Sequence, residues 1–461
     1  MKKIHKPLLT LLLVFCILTG FCVPMTASAA ADPSLSGRND FIWGVNGHNS
    51  LHYPAYPEHN LEQQIRLAAE LGVKMYRFNL NPSNVDDLEY MDRVVALADA
   101  YGMELMLVLD GSGDSIDVIR NRFYMVASRY NGKKGYGLIR YFQVFNEVDI
   151  GCIKSAGVDG SDMKNHYDLN KLEEMLPKFE AALEGLKKGN PNCKSVINFS
   201  YLHTGFLDFL VQSAVEWDII GLDWYSNMGN YDRIIPKLLD KYPHDIIICE
   251  TNWWPESGND KHNTDTTYLP SVMKQLYRYD HKKASRIKGV IFYELLDEMN
   301  YEASHGSFNG ESHFGLIKAD AKGNIGAKKP VYTAIQKLLG GGKVTPTYAS
   351  KVTTKTTTQA TTKSSSAKPT QSADSQVSIT TANGVSTSET QGSVTDATSE
   401  ETTTESGSSA TTGSTVPAGT PSDNNKAPIW PFIAIPVGVV VIGGGVFLLL
   451  RFRFGMFMSK K

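Results

Sequence analysis

Eight short apolar runs punctuate residues 41–297, and most are followed by a segment whose apolar positions return every three or four residues. The runs are "FIWGVN" (41–46), "VKMYRFNL" (73–80), "ELMLVLD" (104–110) and "IRYFQVFNE" (139–147), then "KSVINFSY" (194–201), "WDIIGLDWY" (217–225), "HDIIICE" (244–250) and "KGVIFYELLD" (288–297). They are rich in β-branched and aromatic residues and show little strict alternation. That pattern fits parallel strands covered on the outside by helices. Between them, "NLEQQIRLAAELG" puts Leu61, Ile65, Ala68 and Leu71 near one helical face and ends on Gly72, a natural left-handed cap. "NVDDLEYMDRVVALADAYG" and "LNKLEEMLPKFEAALEGLKKG" repeat the scheme, with Pro177 expected to interrupt the second. "TYLPSVMKQLYRYDHKK" and "PVYTAIQKLLGG" supply later helices, Pro330 being well suited to a helix start.

Eight such units in about 310 residues predict an α/β fold, a (β/α)8 TIM barrel. A doubly wound open sheet is the alternative, but the glycine-rich phosphate loop it usually carries after an early strand is missing. In a barrel the working groups sit at the C-terminal ends of the strands. Strand 2 ends on Arg77 and Asn79, strand 3 on Asp110, and strand 4 on Asn146 and Glu147. Strand 6 ends on Asp223, Trp224 and Tyr225, strand 7 on Glu250 with Asn252, Trp253 and Trp254 behind it, and strand 8 near Tyr293, Glu294 and Asp297. Polar groups thus gather at one rim with aromatics beside them.

The flanks are of a different kind. Residues 1–30 have a basic start, an apolar run and the small-residue pattern Ala27-Ser28-Ala29, as a secretory signal peptide has; an uncleaved anchor is the alternative. Residues 343–428 are nearly half serine and threonine, with almost no large apolar residue. Such a stretch cannot bury a core and is expected to be a disordered stalk. Residues 429–450 carry no charge and, as a helix, would reach ~33 Å, enough to cross a bilayer once. Residues 451–461 include Arg451, Arg453, Lys460 and Lys461, a basic tail expected on the cytoplasmic side. The organisation expected is a head at 31–342 held outside the cell membrane by a single C-terminal transmembrane helix.

The 461-residue chain has a formal net charge of −2, which offers no electrostatic reason for a nucleic-acid partner. Beyond the first 30 residues only Cys152, Cys193 and Cys249 remain, too few for a disulfide framework, though one pair could form. Cys249 lies inside an apolar run and is expected to be a buried thiol.

A pair of carboxylates at a barrel mouth has a specific chemical use. Glycoside hydrolysis needs one carboxyl to protonate the leaving oxygen and a second to attack the anomeric carbon or activate water. Glu147 and Glu250, from strands that lie across the barrel from each other, fit that need. A separation of ~5 Å would make the enzyme retaining. Arg77 could hold one glutamate ionised, and the aromatic surroundings of Glu147 could keep it protonated as the acid. The chemistry calls for no cofactor and no metal.

The motifs "QVFNEVD" and "IIICETNWW", with "YRFNL", "IIGLDWYSN" and "GVIFYELLDE" as weaker supports, resemble the clan of retaining glycoside hydrolases built on a (β/α)8 barrel with glutamates at the ends of strands 4 and 7. The resemblance covers about residues 41–339. It implies Glu250 as nucleophile, Glu147 as acid/base, Asn146 as donor to the sugar 2-hydroxyl, and Arg77 and Tyr225 as groups that position Glu250. Many members of the clan carry Trp at the end of strand 8, where this chain has Tyr293, and a histidine near the strand-6 end, where it has Asp223. "IIGLDWYSN" is similar to galactan-cleaving members and "FYELLDE" to xylosidase-like and exopolysaccharide-cleaving ones.

Other residues weigh less. Trp224, Trp253 and Trp254 could stack on sugar faces, although core packing is an equal expectation for each. His48 and His52 in "GHNSLH", and His203 after strand 5, are candidates to hydrogen-bond substrate; the spacing of a helical zinc site is absent. "DGSGDSID" (110–117) departs from a calcium loop and reads as a turn with a helix N-cap. The function expected is a cell-surface retaining glycosidase acting on extracellular polysaccharide or oligosaccharide. The alternatives are a glycan-binding protein on a degenerate barrel, whose expected mark is loss of one glutamate, and a wall-remodelling transglycosylase using the same residues.

Overall fold

Parallel strands β1 to β8 follow one another around a closed barrel, each paired with its chain neighbour and β8 returning to β1. They are β1 (Ile42–Asn46), β2 (Met75–Asn79), β3 (Glu104–Leu109), β4 (Tyr141–Val144), β5 (Lys194–Ser200), β6 (Ile219–Asp223), β7 (Asp245–Thr251) and β8 (Ile287–Phe292). The computed structural model describes residues 31–348, apart from 52, 156 and 280–285. The expected leader, most of the stalk, the apolar segment 429–450 and the basic tail lie outside the described residues. Among the described residues no helix is long and apolar enough to cross a membrane.

The outer layer comprises α1 (Leu61–Leu71), α2 (Val85–Ala100), α3 (Ile116–Arg129), α4 (Leu169–Gly189), α5 (Thr204–Gln212), α6 (Ile235–Lys241), α7 (Tyr268–Tyr277) and α8 (Pro330–Leu339), with shorter turns of helix in the loops. Leu61, Ile65, Ala68 and Leu71 are all buried, and Gly72 closes α1 at φ 96°, a conformation that costs glycine nothing. Ser115 caps α3, accepting from the Val118 amide, so 110–117 is a turn and an N-cap. One expectation fails: Pro177 lies inside α4, which runs unbroken through it. Tertiary packing outweighs the lost hydrogen bond. α4 lies so close to α3 that a Cβ on Gly185 would stand 2.5 Å from the Arg120 carbonyl oxygen, and one on Gly189 2.6 Å from that of Tyr124.

The large core fills the space between the outward strand faces and the helices. A smaller cluster lies inside the barrel, made of Met75, Met106, Val196, Ile219, Ile247, Cys249 and Ile291. Along the same inward faces, nearer the C-terminal ends, stand Asn46, Arg77, Gln143, Asn198 and Asp223. The interior is therefore apolar at its floor and polar at its mouth. Cys152, Cys193 and Cys249 are free thiols, with Cys249 fully buried.

Candidate active site

Strand alternation alone does not bring Glu250 inward. Ile247 and Cys249 already face the interior, so a regular strand would turn Glu250 out toward the helices. The pairing of β6 with β7 slips at this point: Leu222 is opposite Ile248, but Asp223 is opposite Glu250. The extra residue is a β-bulge, and it re-aims Glu250 onto the same side as Cys249.

There Glu250, 2% exposed, meets two donors. Arg77 Nη1 is 3.0 Å from its Oε1, and the Tyr225 hydroxyl donates to its Oε2 at 2.6 Å. Burial pulls the pKa of Arg77 down, but the adjacent Glu250, Cys249 and Asp223 outweigh it, and the net shift is upward, so the guanidinium stays charged. Arg77 also donates to Asn46 Oδ1, to Gln143 Oε1 at 2.9 Å and to Asn146 Oδ1 at 3.0 Å. One planar fork thus fixes groups from β1, β4 and β7 together.

The end of β4 is bent in an unusual way. Phe145 (φ 61°) and Glu147 (φ 47°) both hold left-handed backbone without being glycine, flanking Asn146. The Phe145 ring points outward, edge-on to Phe123 and Phe179, while Asn146 turns inward. Asn146 Oδ1 accepts from Arg77, from Gln143 Nε2 at 3.0 Å and from Asn198 Nδ2 at 3.1 Å. With its oxygen so occupied, the amide turns its NH2 side away from these donors. Glu147 is partly exposed, and its backbone amide donates to Asn198 Oδ1 at 3.0 Å. The arrangement can hold one carboxylate charged and fixed, and present a second at the rim beside a free amide donor.

The remaining candidates separate by position. Tyr293 is buried edge-on to Tyr225, with ring centroids 6.2 Å apart, and both pack on Phe314. Trp254 is half-buried, edge-on to Tyr225, and Trp253 is half-buried with the Lys261 ammonium 4.7 Å from its ring centre. Trp224 is different: it has no exposed surface, its Nε1 donates to the Gly229 carbonyl at 2.8 Å, and its ring stacks on Tyr201. The expectation that Trp224 stacks on sugar is corrected accordingly, because the indole is packed into the wall and its polar edge is already satisfied. His203 lies near the strand-5 end, Nδ1 2.6 Å from the buried Asp149. His52 lies outside the described residues.

His48 is buried in the first loop, with Nδ1 3.1 Å from Asn79 Oδ1 and Nε2 3.0 Å from Glu294 Oε2. Tyr56 donates to the same Glu294 oxygen at 2.8 Å. His48, Glu294 and Glu298 bring ligand atoms within 4.8 Å of one another, a grouping of the kind that could hold a metal ion, where the sequence suggested none. Asn46, Gln143, Asn198 and Asp149 were not singled out from the sequence. For Gln143 and Asn198 the available signal was a lone polar residue inside an apolar run, "YFQVF" and "VINFS".

Residues 133–307 match the family model "Glycosyl hydrolase family 53". No curated protein matches the chain. Family match and barrel together support a glycosidase. Among solved structures, the β-glucosidase of Thermotoga maritima bound to noeuromycin has a TM-score of 0.50 and 14% identity, over 66% of this chain and 99% of that one. The GH1 β-glucosidase of Exiguobacterium antarcticum has a TM-score of 0.50 and 13% identity, over 66% and 98%. These two likenesses are of fold. The matched 133–307 includes both glutamates and the strand-4 and strand-7 ends.

Proposed function

We propose that the chain is a retaining glycosidase held at the cell surface, cleaving β-linked polysaccharide or oligosaccharide outside the cell. The observation that carries this reading is the clamp on Glu250. A carboxylate buried between a charged guanidinium and a phenol is ionised and oriented, as an attacking group must be. In the first step Glu250 forms a bond to the anomeric carbon while Glu147 gives its proton to the departing oxygen. In the second, Glu147 takes a proton from water, and that water displaces Glu250. Asn146, with its oxygen occupied by three donors, offers its amide hydrogens to the sugar. Half-buried Trp253 and Trp254 supply apolar surface beyond the clamp.

The names of the structural neighbours, both β-glucosidases, favour a β-linkage. Placement outside the cell rests on the sequence of residues 1–30 and 429–461. The test is product release from a panel of β-linked polysaccharides and aryl β-glycosides by the parent, Glu250→Ala and Glu147→Ala proteins. Release by the parent and its loss in both variants is the expected result. A folded parent that binds glycans but releases nothing from any substrate would reject hydrolysis in favour of binding. Products longer than the substrate would show transfer to sugar acceptors.

A further inference from the structure

The bend at the end of β4 has no glycine to account for it. Phe145 and Glu147 both sit at positive φ, so contacts must impose the conformation. Phe145 is accounted for by its amide bond to the Leu109 carbonyl at 2.9 Å, the Gln143 amide on its own carbonyl at 2.8 Å, and its ring between Phe123 and Phe179. For Glu147, the backbone amide is taken by the side chain of Asn198, at 3.0 Å, from the inward face of β5.

Asn198 is 2% exposed, so it stands behind the rim. Its orientation is fixed by a second buried group. Asp223, fully buried on β6, accepts from Asn198 Nδ2 at 2.7 Å. A backbone N–H can only donate, so the oxygen of Asn198 must face the Glu147 amide, and its NH2 faces Asp223. The same NH2 reaches Asn146 Oδ1 at 3.1 Å. One side chain therefore ties both residues of the Asn146-Glu147 pair to strands 5 and 6.

We propose that Asn198, oriented by Asp223, is the positioning residue that sets where the acid/base carboxyl of Glu147 stands. It acts through Glu147 and touches no substrate. The proposal rests on the assignment of Glu147 as acid/base. Placement of a proton donor matters most when the leaving group needs the proton, because misplacement by about 1 Å can cost ~100-fold. A leaving group that departs readily as an anion does not depend on it.

The test is kcat/KM of the full-length protein across aryl β-galactosides, β-glucosides and β-xylosides graded from dinitrophenyl to phenyl leaving groups. Parent, Glu147→Ala, Asn198→Ala and Asp223→Asn are compared. Asn198→Ala is expected to lose about 10- to 100-fold on phenyl glycosides and less than about threefold on dinitrophenyl ones. Asp223→Asn keeps the shape and frees the amide to flip; it is expected to show the same dependence, more weakly. It decides the matter if Asn198→Ala does not fold. Equal losses along the series, or none, in variants that unfold like the parent would overturn the proposal while Glu147→Ala still shows the dependence. A flat series for Glu147→Ala itself would overturn the acid/base assignment.

Discussion

Replacing Tyr225 by phenylalanine removes one oxygen atom and with it the hydrogen bond to Glu250. That bond, 2.6 Å from hydroxyl to Glu250 Oε2, has the length of a charge-assisted contact. A hydrogen bond to a charged group contributes about 1.5–3 kcal/mol, which corresponds to about a 10- to 150-fold change. The phenol favours the ionised form of Glu250, so its loss disfavours that form and moves the pKa of the carboxyl upward. The acidic limb of kcat/KM, which reports ionisation of the nucleophile in the free enzyme, should therefore move to higher pH. At the plateau, kcat/KM should still fall by about 10- to 100-fold, because one carboxylate oxygen is no longer held in line. The ring remains packed on Trp254, Tyr293 and Phe314, so the loss of stability in urea should not exceed the ~1.5–3 kcal/mol of that bond, and the protein stays folded for the assay. The assay is the pH profile of an aryl glycoside for parent and Tyr225→Phe proteins. An acidic limb in the same place, with a rate within twofold of the parent, would refute the claim that the clamp on Glu250 matters.

Arg77→Lys keeps the charge but loses the fork that also holds Asn46, Gln143 and Asn146; kcat/KM should fall about 100-fold, measured on the same glycosides, with the fold retained. Trp224→Phe should lower stability by about 2–3 kcal/mol, from the lost Gly229 bond and the smaller ring, while KM stays within twofold; a raised KM at unchanged stability would restore the sugar-stacking role. His262 takes Asn263 Nδ2 as donor and the Asn259 carbonyl as acceptor, which only the neutral ring allows. Burial, and then the charge of His313, lower its pKa to about 4 from the ordinary 6.5. The unfolded chain thus binds more protons between those values, and stability falls as pH drops through that window. In His262→Gln the difference between unfolding midpoints at pH 7 and pH 4.5 should shrink; an unchanged difference would count against it.

The barrel was legible because strands buried on both faces read as continuous apolar runs, "DIIICE" being the plainest, and because Gly72 and Pro330 mark helix ends. The two glutamates were legible as strand-end residues. The way Glu250 reaches the interior was not: a bulge is a property of pairing between β6 and β7, and period-two reading would have turned Glu250 outward. Asn46, Gln143 and Asn198 were overlooked for a related reason. Each is a single polar side chain in an apolar strand, and only the closed barrel shows that they share a layer with Arg77. The burial of Trp224 depends on the Gly229 carbonyl, five residues on, and the continuity of α4 through Pro177 on the close approach of α3. Neither contact leaves a periodic trace.

The central claim is that Glu250 attacks the sugar. Incubating the protein with dinitrophenyl 2-deoxy-2-fluoro-β-glycosides of glucose, galactose and xylose, and mapping the labelled peptide by mass spectrometry, tests it directly. A single fluorosugar bound through an ester to Glu250, absent in Glu250→Ala, is the predicted result. A label on Glu147 or on another carboxylate, or turnover with inverted configuration and no covalent adduct, would contradict it.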